Sequence, residues 1–242
     1  MDNQKLIRPE GYDPSIKKKE YPIYAMYHDG WESVPGWIND AVWIYEDVVK
    51  SLPKNAHVVE VGCYLGQSTT RMAQLLHEHN REDVKFDSID SFYIISHAFD
   101  NAIPIETIAI AGDKESVDLP PSYLEYYNSL KSEFNCTIVD MVKHPLRVLN
   151  IEKYVNFICI DSYYAHRLYD DETLDFVWLD ANHQYEYIYH ELNTLWPKIK
   201  KGGILAGDDY NDKEVQKAVS DVLKKHKPSY FETNDLSFYM VK

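Results

Sequence analysis

The chain has 242 residues, of which 45% are hydrophobic and 26% are charged, a balance that indicates one globular α/β domain. Its formal net charge of −14 argues against broad contact with nucleic acid, because such contact needs a basic surface. No apolar run reaches the length of a membrane span and no secretory signal is visible. We therefore expect a cytoplasmic protein whose partner is a small molecule or a glycan.

The first part of the chain shows no regular pattern, and we expect residues 1–36 to form an arm ahead of a domain over residues 37–242. Trp31 and Trp37, at this boundary, could serve a contact between copies of the chain or fold back onto the domain, which leaves a homo-oligomer open. The cysteines Cys63, Cys136 and Cys159 lack paired spacing and indicate reduced thiols rather than a disulfide framework.

Helices and strands are predicted to alternate from here onward. Apolar residues at helical spacing predict a helix over 41–52, which Pro53 ends. AHVVEVG (56–62) is typical of a buried parallel strand, and a glycine-bearing turn leads from it to a helix over 69–80. KFDSID (85–90) predicts the next strand, so the segment has the strand–helix–strand order of a right-handed parallel crossover.

A long segment, residues 93–150, interrupts this alternation and contains Pro104, Pro120 and Pro121. An insertion of that length between the second and third strands is expected to act as a lid or as part of the acceptor site, with a helix over 122–134. After it, the sequence predicts strands at NFICID (156–161), LDFVWLD (174–180), GILAGDD (203–209) and LSFYMV (236–241), and helices over 187–200 and 213–226. The KKGG run at residues 200–203 is expected to end the first of these helices.

In open α/β sheets, ligands bind outside the carboxyl ends of the strands, so the residues at those ends are the informative ones. The first strand runs into Glu60, Gly62, Gly66 and Ser68, where the two glycines allow a sharp turn and close approach of a ligand. The G-x-x-x-G spacing differs from the dinucleotide fingerprint and no P-loop lysine follows, which favours a ligand without phosphates. Glu60 could accept a hydrogen bond from an ammonium group, and Ser68 could cap the next helix or bind a carboxylate. A purely structural turn is the alternative.

Acidic residues end the second and third predicted strands as well. Asp90 could accept hydrogen bonds from two ribose hydroxyls, and Asp161 with Ser162 could recognise an adenine amino group. The alternative is that these residues are ordinary loop acids.

Asp180, Asp208 and Asp209 end the next two strands, and three converging carboxylates would repel one another unless a cation lay between them. An all-oxygen cluster suits Mg²⁺ or another hard divalent cation rather than zinc. His183 follows closely and could take a proton from a substrate hydroxyl. The alternative is that the aspartates cap a loop and that His183 is a surface residue.

In combination, VVEVGCYLGQST, FDSID, LDFVWLDANHQYE and WPKIKKGGILAGDDY resemble the class I S-adenosylmethionine-dependent methyltransferases. More narrowly, they resemble the metal-dependent O-methyltransferases of the macrocin and catechol type, over residues 55–92 and 155–242. The resemblance implies a Rossmann-like fold: a doubly wound, mostly parallel seven-stranded sheet with helices on both faces and a reversed final hairpin. It also implies S-adenosylmethionine as cofactor and Mg²⁺ as a second one.

Carried over residue by residue, the resemblance assigns each strand end a role. The turn residues named above match the motif around the methionine part of the cofactor, Asp90 matches the ribose-binding acid, and Asp161–Ser162 match the adenine side. Asp180, Asp208 and Asp209 match the family's metal ligands, and Asp180 also borders the cofactor. His183 matches the catalytic base.

The expected activity is methyl transfer to a hydroxyl, on a sugar or another vicinal diol. Two alternatives stay open: a metal-independent methyltransferase acting on nitrogen or on a small natural product, and a module that binds the cofactor without catalysis. A nicotinamide dehydrogenase is disfavoured by the glycine spacing. The arm and the insertion differ from those of compact family members, so the resemblance gives the least information about the identity of the methyl acceptor.

Overall fold

A computed structural model describes residues 6, 30–34, 36, 38, 41–92, 138–234 and 236–242. The predicted helix over 122–134, together with Trp37 and Cys136, lies outside these residues. Within the described ranges, the helices are α1 (Val42–Ser51), α2 (Gln67–Glu78), α3 (Ile138–Val148), α4 (Tyr185–Leu195) and α5 (Lys213–His226). The strands are β1 (His57–Val61), β2 (Lys85–Asp90), β3 (Asn156–Cys159), β4 (Leu174–Leu179), β5 (Ile199–Gly207), β6 (Tyr230–Thr233) and β7 (Phe238–Val241).

All seven strands form one sheet in the order β3-β2-β1-β4-β5-β7-β6. β1 to β5 pair in parallel, whereas β7 is antiparallel to both β5 and β6. The order reverses between β1 and β4, which makes the carboxyl ends of these two strands the topological switch point where ligands of such sheets bind. The predicted doubly wound, mostly parallel sheet is therefore confirmed, including its reversed final hairpin.

Alternation along the strands sends neighbouring side chains to opposite faces of the sheet, and each face has its own core. Val58 and Phe176 belong to the core that includes α1 and α2, whereas Val59 and Val177 belong to the core that includes α4 and α5. Burial on both faces explains why the parallel strands read as nearly continuous apolar runs.

Most predicted elements occur where the sequence placed them, with one error. The helix expected over 187–200 spans Tyr185–Leu195, and β5 already begins at Ile199. Pro197 lies in a short 3-10 turn after the helix, and Ile199 pairs with Leu174 of β4. The KKGG run is therefore part of the strand, and its prediction as a helix stop is wrong.

The described part of the arm packs onto the domain. Leu6 is 1% exposed and Trp31 is 9% exposed, and both belong to the core on the α1 side. The Arg71 guanidinium lies 5.5 Å from the centre of the Trp31 ring, and the Trp31 amide donates to Gln74 Oε1 at 3.0 Å. Of the two alternatives for Trp31, folding back onto the domain is the one observed. The described part of the chain contains no helix with the length and apolar character of a membrane span.

Candidate active site

The turn between β1 and α2 requires glycine at two positions. Gly62 and Gly66 adopt φ values of 90° and 86°, in the left-handed region that side chains disfavour. A Cβ on Gly62 would stand 1.9 Å from the Asp180 carbonyl oxygen, and one on Gly66 would stand 2.8 Å from Val142 Cγ1 of α3. The ends of β1 and β4 thus meet without side chains between them, which leaves backbone facing the switch point.

Asp90 fastens this turn to the end of β2. Its Oδ2 accepts hydrogen bonds from the amides of Cys63 and Tyr64 at 3.0 and 3.1 Å, and its Oδ1 accepts from Phe92 at 2.7 Å. A carboxylate has about four acceptor positions, so three of them are occupied by the backbone. The backbone thus holds the Asp90 carboxylate at the strand end, and its role in binding two ribose hydroxyls stays a prediction.

Glu60 lies beneath the turn and is 1% exposed. It accepts hydrogen bonds from the hydroxyls of Tyr45 at 3.2 Å, Ser88 at 2.9 Å and Thr69. Burial raises the pKa of Glu60, while hydroxyl groups around it, including that of Ser68, favour the charged form and oppose the increase. These contacts make Glu60 a support of the turn, whatever part it also takes in ligand binding.

Ser68 is buried in the first turn of α2. The residue at the N-cap position is Gly66, and no side chain caps this helix. The suggestion that Ser68 caps the helix is therefore wrong, because the helix begins one residue earlier, at Gln67. Its other suggested role, binding a ligand carboxylate, stays a prediction.

At the end of β3, Asp161 caps a 3-10 helix that spans Ser162–Leu168. Its Oδ1 accepts from the Tyr163 amide at 2.9 Å, and the residue is exposed. The structure therefore gives Asp161 a local structural role beside the predicted adenine-binding one. An exposed carboxylate at this edge remains accessible to a ligand amino group.

Asp180, His183 and Asp209 converge where β4 and β5 end. One ligand-type atom from each lies within 4.8 Å of the other two. His183 Nε2 is 2.9 Å from Asp209 Oδ2 and 3.9 Å from Asp180 Oδ1. The backbone of Asp209 is in the left-handed conformation, with φ of 56°. Backbone strain of this kind occurs most often at functional sites.

Asp208, the third predicted metal ligand, stands outside this group of three. Its Oδ1 accepts from the Asp209 amide at 3.0 Å, which helps to set the strained turn. The side chains brought together are thus two carboxylates and an imidazole, not the all-oxygen cluster of Asp180, Asp208 and Asp209 expected from the sequence.

The electrostatics of the group favour a positive partner. Burial raises the pKa of Asp180, the negative charge of Asp209 raises it further, and the neighbouring His183 opposes the increase. Glu60 and Asp90 add to the negative potential. A cation held between Asp180 and Asp209 would relieve this repulsion, and two carboxylates with an imidazole suit Mn²⁺ or Fe²⁺ as well as Mg²⁺.

One residue at this edge went unnoticed in the sequence. Glu191 of α4 is 1% exposed, and neither of its carboxylate oxygens makes a hydrogen bond to any part of the chain that the structure describes. Burial raises its pKa to about 8, against opposing effects from the Ser162 hydroxyl and His183. The signal was a glutamate in an apolar stripe, since Ile188, Glu191 and Leu195 recur at helical spacing.

Comparisons with known proteins show the family and agree with the fold. Residues 59–210 match the family model described as a methyltransferase domain. No curated protein sequence is significantly similar to the chain.

Solved structures with the same fold include the following three. The O-methyltransferase NovP superposes with a TM-score of 0.59 at 18% identity, over 96% of this chain and 92% of its own. CalS11, a TDP-rhamnose 3'-O-methyltransferase of calicheamicin biosynthesis, gives 0.52 at 13% identity, over 92% and 88%. An S-adenosylmethionine-dependent O-methyltransferase from Thermotoga maritima gives 0.54 at 10% identity, over 86% and 66%.

Proposed function

The chain belongs to the methyltransferase-domain family and is an S-adenosylmethionine-dependent methyltransferase, and we propose that it methylates a hydroxyl group with the help of a divalent cation. The acceptor in this proposal is a sugar or another vicinal diol. The observation that carries it is the convergence of Asp180, His183 and Asp209 beside the glycine turn. The structural relatives NovP and CalS11 are O-methyltransferases, and CalS11 acts on the nucleotide sugar TDP-rhamnose, which supports a hydroxyl acceptor.

In this proposal the turn after β1 binds the methyl donor. Its backbone carries no side chain at Gly62 and Gly66, which supports a place there for the amino-acid part of S-adenosylmethionine, and Asp90 would accept from the ribose. The sulfonium group of S-adenosylmethionine supplies a methyl that is already activated for transfer. The main task of the protein is therefore to align donor and acceptor, which can lower a barrier by up to about 7–11 kcal/mol.

His183 is the proton acceptor in this proposal. Nε2 lies 2.9 Å from Asp209 Oδ2 and donates to it, so the opposite ring nitrogen, Nδ1, takes the proton of the acceptor hydroxyl and Asp209 stabilises the imidazolium that results. The oxygen freed of its proton then forms a bond to the methyl carbon as the bond from that carbon to sulfur breaks. Asp180 and Asp209 would hold a divalent ion, whose chemistry there is to polarise the acceptor oxygen.

The His183–Asp209 pair also favours a second candidate function, a methyltransferase that needs no metal. A histidine oriented by a carboxylate can act as a general base by itself. In that case Asp180 and Asp209 serve only to position His183, and chelation leaves the rate unchanged.

The test is calorimetric titration with S-adenosylmethionine and, separately, with Mg²⁺ and Mn²⁺, on the wild type and on four variants. Asp180→Asn and Asp209→Asn should abolish the metal isotherm, whereas Asp208→Asn is the matched control and should retain it. Asp90→Asn should weaken cofactor binding with little effect on the metal. Metal binding that survives in Asp180→Asn, or turnover that persists in EDTA, would remove the metal from the mechanism and favour the second candidate.

A further inference from the structure

The backbone of the arm is fastened to the first residue of α2. The Gln67 side chain is buried, its Nε2 donates to Val34 O at 2.7 Å, and its Oε1 accepts from the Ile38 amide at 3.2 Å. Val34 and Ile38 are buried as well, so water does not compete for these hydrogen bonds. One side-chain amide thus satisfies a carbonyl and an amide of a segment that is distant in the sequence.

Gly36 brings the same segment into direct contact with Gln67. A Cβ added to Gly36 would stand 2.4 Å from Gln67 Cβ, which is closer than two such carbons approach in proteins. Since the bonded residues Val34 and Ile38 flank Gly36, the Gln67 side chain reaches past the glycine and bonds on both sides of it. The segment over residues 34–38 therefore lies against the first turn of α2.

This contact is next to the turn that the proposed function assigns to the cofactor. Gly66, which directly precedes Gln67, is the N-cap of α2 and belongs to that turn. Ile38 O accepts from the amides of Ala41 and Val42 at 2.8 and 3.1 Å, so the segment also leads directly into α1. Because Gln67 is buried against the arm, it acts on a ligand at the turn only through the segment that it holds.

The arm has another attachment, which serves as a comparison. The Trp31 amide donates to Gln74 Oε1 at 3.0 Å, and Gln74 lies seven residues beyond Gln67, about 10 Å along α2. The arm thus has an anchor away from the turn. A second anchor, placed directly at the turn and bonding to two backbone groups, fixes where the segment lies relative to a bound cofactor.

We propose that Gln67 is a positioning residue for cofactor binding, which holds residues 34–38 against the turn after β1 so that they close one side of the cofactor site. The proposal rests on the placement of the amino-acid part of S-adenosylmethionine at this turn, and it adds the arm to that site. Cofactor binding and the order of the segment then stabilise each other, because coupling between two sites is reciprocal.

The first measurement is calorimetric titration with S-adenosylhomocysteine, the demethylated form of the methyl donor, which needs no acceptor. Gln67→Met keeps the length of the side chain and removes both hydrogen bonds, whereas Gly36→Ala separates the two segments from the side of the arm. Each variant should weaken binding at least about 5-fold, the lower end of typical coupling between sites. Gln74→Met is the matched control and should bind like the wild type, because it breaks the attachment away from the turn.

Amide hydrogen exchange distinguishes positioning from a purely structural role. Saturating S-adenosylhomocysteine should slow exchange of the Ile38 amide in the wild type and in Gln74→Met, and this protection should be lost in Gln67→Met. Exchange of the β1 and β4 amides verifies that each variant is folded. Unchanged affinity in both Gln67→Met and Gly36→Ala, or an Ile38 amide in the wild type that does not respond to S-adenosylhomocysteine, would refute the proposal.

The same exchange data separate this inference from the proposed function. Protection of the turn amides of Cys63 and Tyr64 without a response at Ile38 would overturn the role of Gln67 alone. S-adenosylhomocysteine that binds without protecting the turn amides would overturn the placement of the cofactor, and the inference with it. No binding to the wild type would overturn the proposed function as a whole.

Discussion

Replacing Glu191 with glutamine removes a buried carboxyl group that makes no well-formed hydrogen bond to the described residues, although the Ser162 hydroxyl lies near it. The folded protein keeps this group protonated, since burial raises its pKa to about 8 from a reference value of 4.5. In the unfolded chain the same group ionises near its reference value. Between these two values the folded state binds more protons than the unfolded state, so stability falls as the pH rises.

The size of the effect follows from the linkage relation. One pH unit within this window changes the free energy of unfolding by about 1.4 kcal/mol. Between pH 5.5 and 7.5 the wild type should therefore lose about 3 kcal/mol through Glu191 alone, a large part of the 5–15 kcal/mol of a typical domain. Glu191→Gln keeps the shape of the side chain but does not ionise, so its stability should lack this dependence.

The assay is urea unfolding followed by circular dichroism at several pH values from 5 to 8. The difference in unfolding free energy between variant and wild type should shift by about 3 kcal/mol in favour of the variant from pH 5.5 to 7.5. Glu186→Gln, at an exposed position of the same helix, is the control and should follow the wild type closely. Parallel pH profiles for Glu191→Gln and the wild type would refute a protonated Glu191.

Two further predictions concern the turn and the sheet. Gly62→Ala should destabilise the protein by about 3 kcal/mol or more in thermal unfolding, because its Cβ meets Asp180 O at 1.9 Å. Gly202→Ala has a similar φ of 81° but open space and should lose only about 1–2 kcal/mol, so equal losses would contradict the steric argument. Burial works against ionisation of Asp87, but hydrogen bonds, His57 foremost, prevail and lower its pKa to about 2. About 2 kcal/mol of stability should then disappear as the pH falls from 4 to 2 in an acid titration, and Asp87→Asn should show a flatter profile there.

Local patterns located most of the elements to within two residues. The strand KFDSID and the helix over 213–226 have the bounds that were predicted, because each carries a strong period and clear ends. Asp212 caps that helix by accepting from the amides of Glu214 and Val215, and basic residues occupy its last turn. The predicted end of α4 was too late because Ile199 pairs with Leu174 of β4. This pairing with another strand cannot be read from the local helical pattern. β6 was expected only through the family resemblance.

The order of the strand ends along the sequence was enough to predict that Asp180, His183 and Asp209 would lie at one edge, since the carboxyl ends of parallel strands share an edge. The roles assigned to the individual residues stay predictions. The exact positions of the site side chains depend on tertiary structure. The turn at Asp208–Asp209 directs Asp209 toward His183 and leaves Asp208 hydrogen-bonded to the backbone, and this arrangement depends on the φ angle of Asp209 and on packing. Periodicity carries no information about either.

The sequence by itself determined the alternation of strands and helices, the glycine turn and the edge where chemistry is expected, because hydrophobic period and the succession of elements along the chain are local properties. Only the tertiary structure decided which polar groups are satisfied. Asp90 accepts from backbone amides, Glu191 is buried without a well-formed hydrogen bond to the described residues, and Gln67 is bonded to the backbone of the arm. Hydrogen bonding and burial arise from contacts between distant segments, so these features exist only once the sheet is assembled.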